Sequence, residues 1–140
     1  SETAEFALTE VTLGIMADAG GVLRLPKRLP LPIAMEMLMT ARRIGAQEAL
    51  RWGLVNRVVP LNDLMAEART LAEAIAANAP LALAAIKAVI KATLPLDVKD
   101  GYALMRSGAI PAYDAMIGSD DAIEGPLAFS EKRKPVWKGK

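Results

Sequence analysis

The stretch Glu5–Leu25, EFALTEVTLGIMADAGGVLRL, decides the fold because it places strand chemistry shortly before a glycine-rich start of a helix. Its first part, Phe6–Leu8, is a short apolar run between polar residues, which is typical of a buried strand end. After Asp18, the pair Gly20-Gly21 leads into an apolar helical pattern that ends at Pro26. A helix that begins here directs free backbone N–H groups and the positive end of its dipole toward whatever lies in front of it.

Two carboxylates in this stretch are candidates for acid–base chemistry, and two interpretations of each stay open. Glu10 is either a solvated residue at a strand exit or a carboxylate that Leu8, Val11 and Leu13 shield from water, which would suit it to proton transfer near neutral pH. Asp18 either caps the helix that follows or is itself a catalytic carboxylate.

The composition narrows the possible chemistry. The chain has 140 residues, enough for one domain with a real core, and 53% of them are hydrophobic, which indicates that part of the surface is meant to be covered. A net charge of +1 gives no general attraction to nucleic acid. Without cysteine or histidine, the chain has no disulfides, thiolate nucleophiles, Ser-His pairs or His-ligated metals. If the chain is catalytic, its catalysis must then rest on carboxylates, backbone N–H groups or lysine.

Most of the chain is predicted to be helical. The valine-rich Leu54–Val59, which stops at Pro60, is predicted as a second strand, and its partners are expected outside this chain because two short strands are not a stable sheet. No apolar run is long enough to span a bilayer, and Ser1–Glu5 does not resemble a signal peptide. Helices are predicted at Ile33–Met39, Gln47–Trp52, Asp63–Asn78 and Leu81–Thr93, from Asp97 until Pro111 disturbs the pattern, from Ser119 to a break at Glu124–Pro126, and at Leu127–Lys132.

Three further features have ordinary structural interpretations. Met35, Met37 and Met39 are expected to fill the core rather than to form a soft ligand surface. The pair Arg42-Arg43 suits a helix C-terminus, with phosphate binding as the alternative. The basic tail from Lys132 matches a loose nuclear-targeting or nucleic-acid-binding pattern, but no nucleic-acid partner is expected.

Several motifs lie along the chain: Phe6-Ala7-Leu8-Thr9-Glu10, Leu13-Gly14, Asp18-Ala19-Gly20-Gly21, Arg24-Leu25, Ala46–Ala49 with Trp52–Val55, and Glu124-Gly125 with Phe129 and Glu131–Arg133. Together they resemble the motifs of a known family, the crotonase (enoyl-CoA hydratase/isomerase) superfamily, and the likeness runs to the last residue. One departure is Thr9, which stands where the family usually has proline and leaves the backbone before Glu10 less restrained. Several segments further resemble one dehydratase branch of the superfamily, among them Gly20–Lys27, Ala49–Gly53 and Pro135–Gly139.

The resemblance implies a fold and a division of labour along the chain. The expected fold class is α/β, the C-terminal portion of a crotonase-like spiral fold, mainly helical in this chain with two short strands. Residues 1–60 would form the C-terminal part of the core with the second active-site segment, and residues 61–140 a helical trimerisation region. Because the chain also lacks an initiator methionine, we expect it to begin in the middle of a larger protein.

The resemblance also implies site residues. Glu10 would be the second catalytic glutamate, and Asp18 occupies a position where some isomerases of the family have a working aspartate. Gly20-Gly21 would line the substrate site. Positions corresponding to Tyr113, Phe129 and Lys132 lie near the nucleotide end of coenzyme A, although an aromatic side chain that only packs is an equal alternative for each aromatic.

The implied function is that of an acyl-CoA hydratase or dehydratase that uses carboxylate acid–base chemistry. Its first glutamate and its oxyanion hole would be supplied by sequence upstream of this chain. Enoyl-CoA or dienoyl-CoA isomerisation is one alternative, and a non-catalytic role of this chain in assembly is another. We expect no metal and no cofactor other than the coenzyme A of the substrate, a homotrimer or a hexamer built as a dimer of trimers, no nucleic-acid or membrane partner, and a cytoplasmic location.

Overall fold

A computed structural model describes all residues from Ser1 to Lys140. The chain divides into two compact units, residues 1–69 and 70–140. The predicted division at residue 60 concerns the roles of an active-site part and an assembly part, and those roles stay predictions. The elements are strands β1 (Glu5–Phe6) and β2 (Ile44–Gly45) and helices α1 (Gly21–Arg24), α2 (Leu31–Thr40), α3 (Ala46–Arg51), α4 (Leu64–Ala76), α5 (Pro80–Thr93), α6 (Val98–Met105), α7 (Pro111–Ile117) and α8 (Asp120–Ser130), with 3₁₀ turns at Glu10–Leu13, Leu25–Lys27 and Leu61–Asp63.

The two strands form one short antiparallel ladder in the first unit. Glu5 pairs with Gly45 and Phe6 with Ile44. The number of strands was predicted correctly, but the position of the second was wrong, because residues 54–59 form no strand. Their backbone groups bond elsewhere: the N–H of Leu54 donates to the carbonyl of Ala49, and the carbonyl of Val59 accepts from Glu2. A valine-rich segment becomes a strand only when another strand lies beside it.

The core of the first unit lies where α2 and α3 meet the ladder. Its buried members are Leu29, Ala34, Met37, Ile44 and Ala49, with partly buried neighbours around them. The prediction that the alternate methionines of α2 fill the core holds for Met37, which is 1% exposed, but is wrong for Met39, which is 65% exposed, and for the exposed Met35. Three residues at spacing two point in different directions from a helix, so all three do not reach one core.

The second unit is a set of helices in which α5 packs against α6 and α7, and α7 contacts α8. The cap predicted at Asp97 is confirmed, since its carboxylate accepts a hydrogen bond from the N–H of Asp100 at 2.8 Å. Pro111 was expected to disturb a helix but instead occupies the first turn of α7, where its missing N–H costs no hydrogen bond. The break predicted at Glu124–Pro126 is also wrong, because α8 continues through Pro126.

Much apolar surface stays uncovered in this chain, as the composition predicted. Helix α4 is amphipathic as expected, but it has no buried residue, and its stripe residues Leu64, Leu71 and Ile75 are exposed. No single helix is both long and apolar enough to cross a lipid bilayer; Leu61–Ala76 and Pro80–Thr93 reach that criterion only as a pair joined across a bend of 101°.

Candidate functional site

Glu10 opens a single 3₁₀ turn, Glu10–Leu13, that follows β1 after three residues. Its side chain is half-buried, and the carboxylate oxygen Oε2 is enclosed by protein without a hydrogen-bond partner. The predicted shield is only partly correct: Leu8 is half-buried, but Val11 is exposed and Leu13 is 75% exposed. A buried carboxylate oxygen without a donor is costly, and such groups are rare outside sites where a ligand or a reaction needs them. Glu10 therefore has one oxygen available to accept a proton or a hydrogen bond.

Asp18 does not cap the helix that follows it. The N-cap of α1 is Gly20, which makes no side-chain hydrogen bond and has φ +108°, a left-handed conformation that strongly favours glycine. Because the chain enters α1 through this glycine, the Asp18 carboxylate lies two residues too early, and Asp18 is exposed. The capping interpretation is wrong, and the catalytic one stays a prediction.

The two glycines allow close packing around α1. A Cβ atom on Gly20 would lie 2.4 Å from the guanidinium of Arg24, and one on Gly21 would lie 2.8 Å from Cβ of Ala17 and 3.1 Å from both Leu8 methyl groups. Helix α1 itself is one turn long and continues into a 3₁₀ turn, so its dipole is small. The structure thus gives this glycine pair a packing role, and its predicted contact with substrate stays a prediction.

Two apolar clefts flank this segment within the first unit. The cleft that we call cleft A has a volume of about 350 Å³, and the one that we call cleft B has about 310 Å³. Two apolar residues near Glu10 line different clefts, since Leu8 lines cleft A and Val11 lines cleft B. Cleft A is lined by Phe6, Ala7, Leu8, Gly21, Arg24, Leu25, Arg28, Met37 and Leu54, and cleft B by Val11, Ile15, Met16, Ala17, Val22, Met35, Leu38 and Met39.

Arg42 is engaged in ion pairs rather than free to bind phosphate. Its guanidinium lies 2.8 Å from Glu36 of α2 and 2.8 Å from Glu48 of α3. Hydrogen bonding to Arg42 lowers the pKa of Glu48, and the same bond raises the pKa of Arg42. Arg42 thereby ties the end of α2 to α3, a role that the helix-dipole argument did not identify.

The second unit holds the other three predicted site residues, and it does not gather them in one cavity. Tyr113 is half-buried and lines an apolar cavity of about 400 Å³ with residues of α5, α6 and α7. Phe129, near the end of α8, is 85% exposed, and Lys132 lies just beyond the helix with its N–H donating to the carbonyl of Phe129 at 3.2 Å. The structure therefore groups Phe129 with Lys132, while Tyr113 lies in a separate cavity.

Two acidic residues of α8, Asp121 and Glu124, organise the C-terminus, a role that the sequence analysis did not assign to either of them. Asp121 is only 4% exposed, and its two oxygens accept hydrogen bonds from the backbone N–H groups of Lys138 and Gly139 at 2.7 and 3.0 Å. Glu124 accepts both Nη groups of Arg133, at 2.6 and 2.9 Å. In the sequence Asp121 resembles an ordinary residue of a first helical turn, and Glu124 is prominent only as part of a family motif, so neither pattern indicated a contact with the C-terminal segment.

Comparisons with known proteins agree on one family. The family model described as enoyl-CoA hydratase/isomerase matches residues 1–140. The chain is 59% identical over 140 residues to the carnitinyl-CoA dehydratase of Proteus mirabilis and 55% identical to that of Salmonella typhi, in each case over all of this chain and 54% of the relative. It therefore spans about half the length of the curated relatives it matches. Carnitinyl-CoA dehydratase is also the dehydratase branch that the segments quoted above resemble.

Solved structures give the same result for the fold. An enoyl-CoA hydratase from Bacillus anthracis superposes with a TM-score of 0.90 at 41% identity, over 99% of this chain and 52% of that one. An enoyl-CoA hydratase from Mycobacterium tuberculosis superposes with a TM-score of 0.87 at 36% identity, over 99% of this chain and 54% of that one. The crotonase-type fold class expected from the motifs is confirmed.

Proposed function

The chain belongs to the enoyl-CoA hydratase/isomerase family, and on this premise we propose that a full-length enzyme carrying it is a hydro-lyase that adds water reversibly to an enoyl-CoA or removes it from a 3-hydroxyacyl-CoA. The observation that carries the proposal is the enclosed, unpartnered oxygen of Glu10 at the position of the family's second glutamate. Identity of 55–59% to carnitinyl-CoA dehydratases favours carnitinyl-CoA and its dehydration product as the substrate pair.

In the proposed mechanism Glu10 moves a proton. Addition of water beside a thioester needs a base for the water, an acid for the α-carbon, and donors for the negative charge that develops on the carbonyl oxygen. Glu10 would accept the proton of the attacking water through Oε2 and return it to the leaving hydroxyl in the reverse direction. Its partner glutamate and the oxyanion donors would come from sequence outside this chain; each such donor is typically worth about 2.7–4 kcal/mol.

The apolar clefts support the choice of substrate class. An acyl chain is largely apolar, and cleft A combines apolar walls with the cationic side chains of Arg24 and Arg28. At the other end of the substrate, Phe129 would offer an aromatic face to adenine and Lys132 an ammonium to phosphate. Coenzyme A would enter as part of the substrate, with no separate cofactor and no metal.

The second candidate function is double-bond isomerisation, and the free carboxylate of Asp18 favours it. Because Asp18 does not cap α1, its side chain is available to carry a proton between two carbons. The two reactions differ in one respect that is simple to measure: hydration incorporates solvent oxygen into the product, whereas isomerisation incorporates none. A 140-residue chain that acts only in assembly would show neither reaction.

We also propose a homotrimer or a dimer of trimers in the cytoplasm. The exposed apolar stripe of α4 supports an interface, since a stripe such as Leu64, Leu71 and Ile75 is normally covered in a folded assembly. The absence of cysteine is compatible with a reducing compartment. Light scattering of the full-length enzyme would measure the assembly.

The experiment that tests the function uses the full-length enzyme, crotonobetainyl-CoA and crotonyl-CoA in water enriched in ¹⁸O. The expected result is a 3-hydroxyacyl-CoA that carries one solvent oxygen, with carnitinyl-CoA formed at the higher kcat/KM. A dienoyl-CoA substrate that shifts its double bonds without gaining oxygen, together with no hydration of either enoyl-CoA, would establish the isomerase instead. The isolated 140-residue chain is the control and should be inactive.

A further inference from the structure

The C-terminal residues 133–140 fold back along α8 and are fastened there by two carboxylates; we call this segment the C-terminal clasp. Glu124 accepts the guanidinium of Arg133 with both oxygens and the N–H of Val136 at 2.8 Å. One turn earlier, Asp121 accepts the N–H groups of Lys138 and Gly139. The N–H of Asp120 donates to the carbonyl of Lys140 at 2.8 Å, so the clasp is held along its length.

The turn between α8 and the clasp has a backbone that needs support. Lys132 has φ +54°, the left-handed region that a residue with a Cβ occupies only where the surroundings hold it there. Its own N–H donates to the carbonyl of Phe129, and the N–H of Arg133 donates to the carbonyl of Ala128 at 3.0 Å. The forked pairing of Arg133 with Glu124 fixes the residue that directly follows the strained one.

The neighbouring cations at this turn differ in what they contact. The nitrogens of Arg133 are engaged by Glu124 and by Glu131, whose Oε2 lies 2.5 Å from Nε. Lys132 forms no ion pair and is exposed, and its backbone N–H joins it to Phe129, whose side chain is also exposed. Hydrogen bonding from Arg133 lowers the pKa of Glu124 to about 2, so the pair is fully charged at neutral pH. Arg133 thus holds the C-terminal clasp to α8, whereas Lys132 and Phe129 are exposed to solvent.

We infer that Glu124 and Arg133 are positioning residues, whose ion pair holds Phe129 and Lys132 in the arrangement that grips the nucleotide part of coenzyme A. This inference rests on the proposed function, because it presupposes that Phe129 and Lys132 meet the nucleotide. Preorganisation of a binding group improves affinity by reducing the ordering that binding requires. The pair acts on substrate binding and leaves the chemical step at Glu10 untouched.

The test compares two substrates of the full-length enzyme, the acyl-CoA and the same acyl group on pantetheine, which lacks the nucleotide. The measured quantity is the ratio of kcat/KM for acyl-CoA to kcat/KM for acyl-pantetheine. This ratio is independent of how much of each preparation is folded, so a variant that folds poorly still gives a usable value. The variants are Glu124→Gln, Arg133→Met and Lys132→Met, with Lys134→Met as the control for the loss of an unpaired cation of the same tail.

The expected result is that Glu124→Gln and Arg133→Met lower the ratio about tenfold, through KM for acyl-CoA and with kcat unchanged, as loss of a well-placed charged contact would. Arg133→Lys should recover part of the loss, and Lys134→Met should leave the ratio unchanged. An unchanged ratio in Glu124→Gln and Arg133→Met, with a lowered one in Lys132→Met, would overturn the positioning role and leave the proposed contact intact. An unchanged ratio in Lys132→Met would overturn both.

Discussion

Replacement of Asp121 by alanine should release the C-terminal clasp. Asp121 is almost completely buried, and its two oxygens receive the N–H groups of Lys138 and Gly139. A hydrogen bond to a charged acceptor contributes about 1.5–3 kcal/mol, so two such bonds set an upper range of about 3–6 kcal/mol. Because the clasp lies at the end of the chain and its freed N–H groups can reach water, we expect the lower end of this range, about 3 kcal/mol.

Hydrogen exchange of the peptide that contains residues 134–140 measures this loss directly. A fall of about 3 kcal/mol in the free energy of local opening corresponds to roughly a hundredfold faster amide exchange. The indole N–H of Trp137 donates to the carbonyl of Ala77 at 2.9 Å, so tryptophan fluorescence should report the same release. Exchange in α5 should change much less, because that helix packs on α6 and α7.

Asp120→Ala is the matched control. It removes a carboxylate from the same helical turn, but this carboxylate is exposed and has only a 3.4 Å ion pair with Lys138. Exposed pairs of this kind contribute about 0–1 kcal/mol, so exchange should rise less than about fivefold. Equal effects of the two substitutions, or no effect of Asp121→Ala, would refute the argument that buried backbone acceptance fastens the clasp.

Two further predictions concern stability. Gly21→Ala should lower the free energy of unfolding by about 1–3 kcal/mol in urea denaturation, because the new methyl group would lie 2.8 Å from Cβ of Ala17. Gly45→Ala is the control, since a Cβ there would have no neighbour within 4 Å, and its free energy of unfolding should stay within about 0.5 kcal/mol of the unmodified value. Hydrogen bonds from Arg133 lower the folded-state pKa of Glu124 from the ordinary 4.5 to about 2. The contribution of Glu124 to the free energy of unfolding is therefore complete above about pH 4.5 and is lost as the pH falls toward 2. Urea titrations between these pH values should show that the free energy of unfolding falls less steeply with decreasing pH in Arg133→Met than in the unmodified protein. Identical pH dependences would contradict the assignment of the lowered pKa to Arg133.

The helices that carry their own local signals could be predicted from the sequence. Asp97 and Ser119 accept hydrogen bonds at the starts of α6 and α8, as their residue types suggest. Gly53 follows α3 with φ +76°, as expected for a glycine that ends a helix. These signals act within one turn of the chain, so they need no knowledge of tertiary contacts.

The wrong predictions, the helix break at Glu124–Pro126 and the position of the second strand, share one physical origin. Each outcome depends on contacts with residues distant in sequence. Helix α8 continues through Gly125-Pro126, and the ring of Trp137 packs against Gly125, where an added Cβ would lie 3.4 Å from it. The strand partner of Phe6 is the two-residue segment Ile44-Gly45, which is too short to give a periodic signal. Tertiary contacts of this kind override local propensity.

In the candidate site, too, some features could be predicted from the sequence and others depended on tertiary structure. The motif identified Glu10, and its apolar neighbours in sequence predicted shielding from water, but Val11 and Leu13 are exposed and only Leu8 is half-buried. The capping role of Asp18 failed because the backbone at Gly20 has a conformation that composition does not reveal. The roles of Asp121 and Glu124 depend on a C-terminal segment up to 18 residues away in sequence.

The central claim is that Glu10 carries a proton in hydration, and the most direct test is the kcat of Glu10→Gln in a full-length enzyme carrying this chain. The substitution keeps the size of the side chain and removes its ability to accept a proton. We predict a fall in kcat for hydration of about 10²–10⁴, with Asp18→Asn within a few fold of the unmodified enzyme. A Glu10→Gln enzyme that hydrates enoyl-CoA at nearly the original rate would contradict the account.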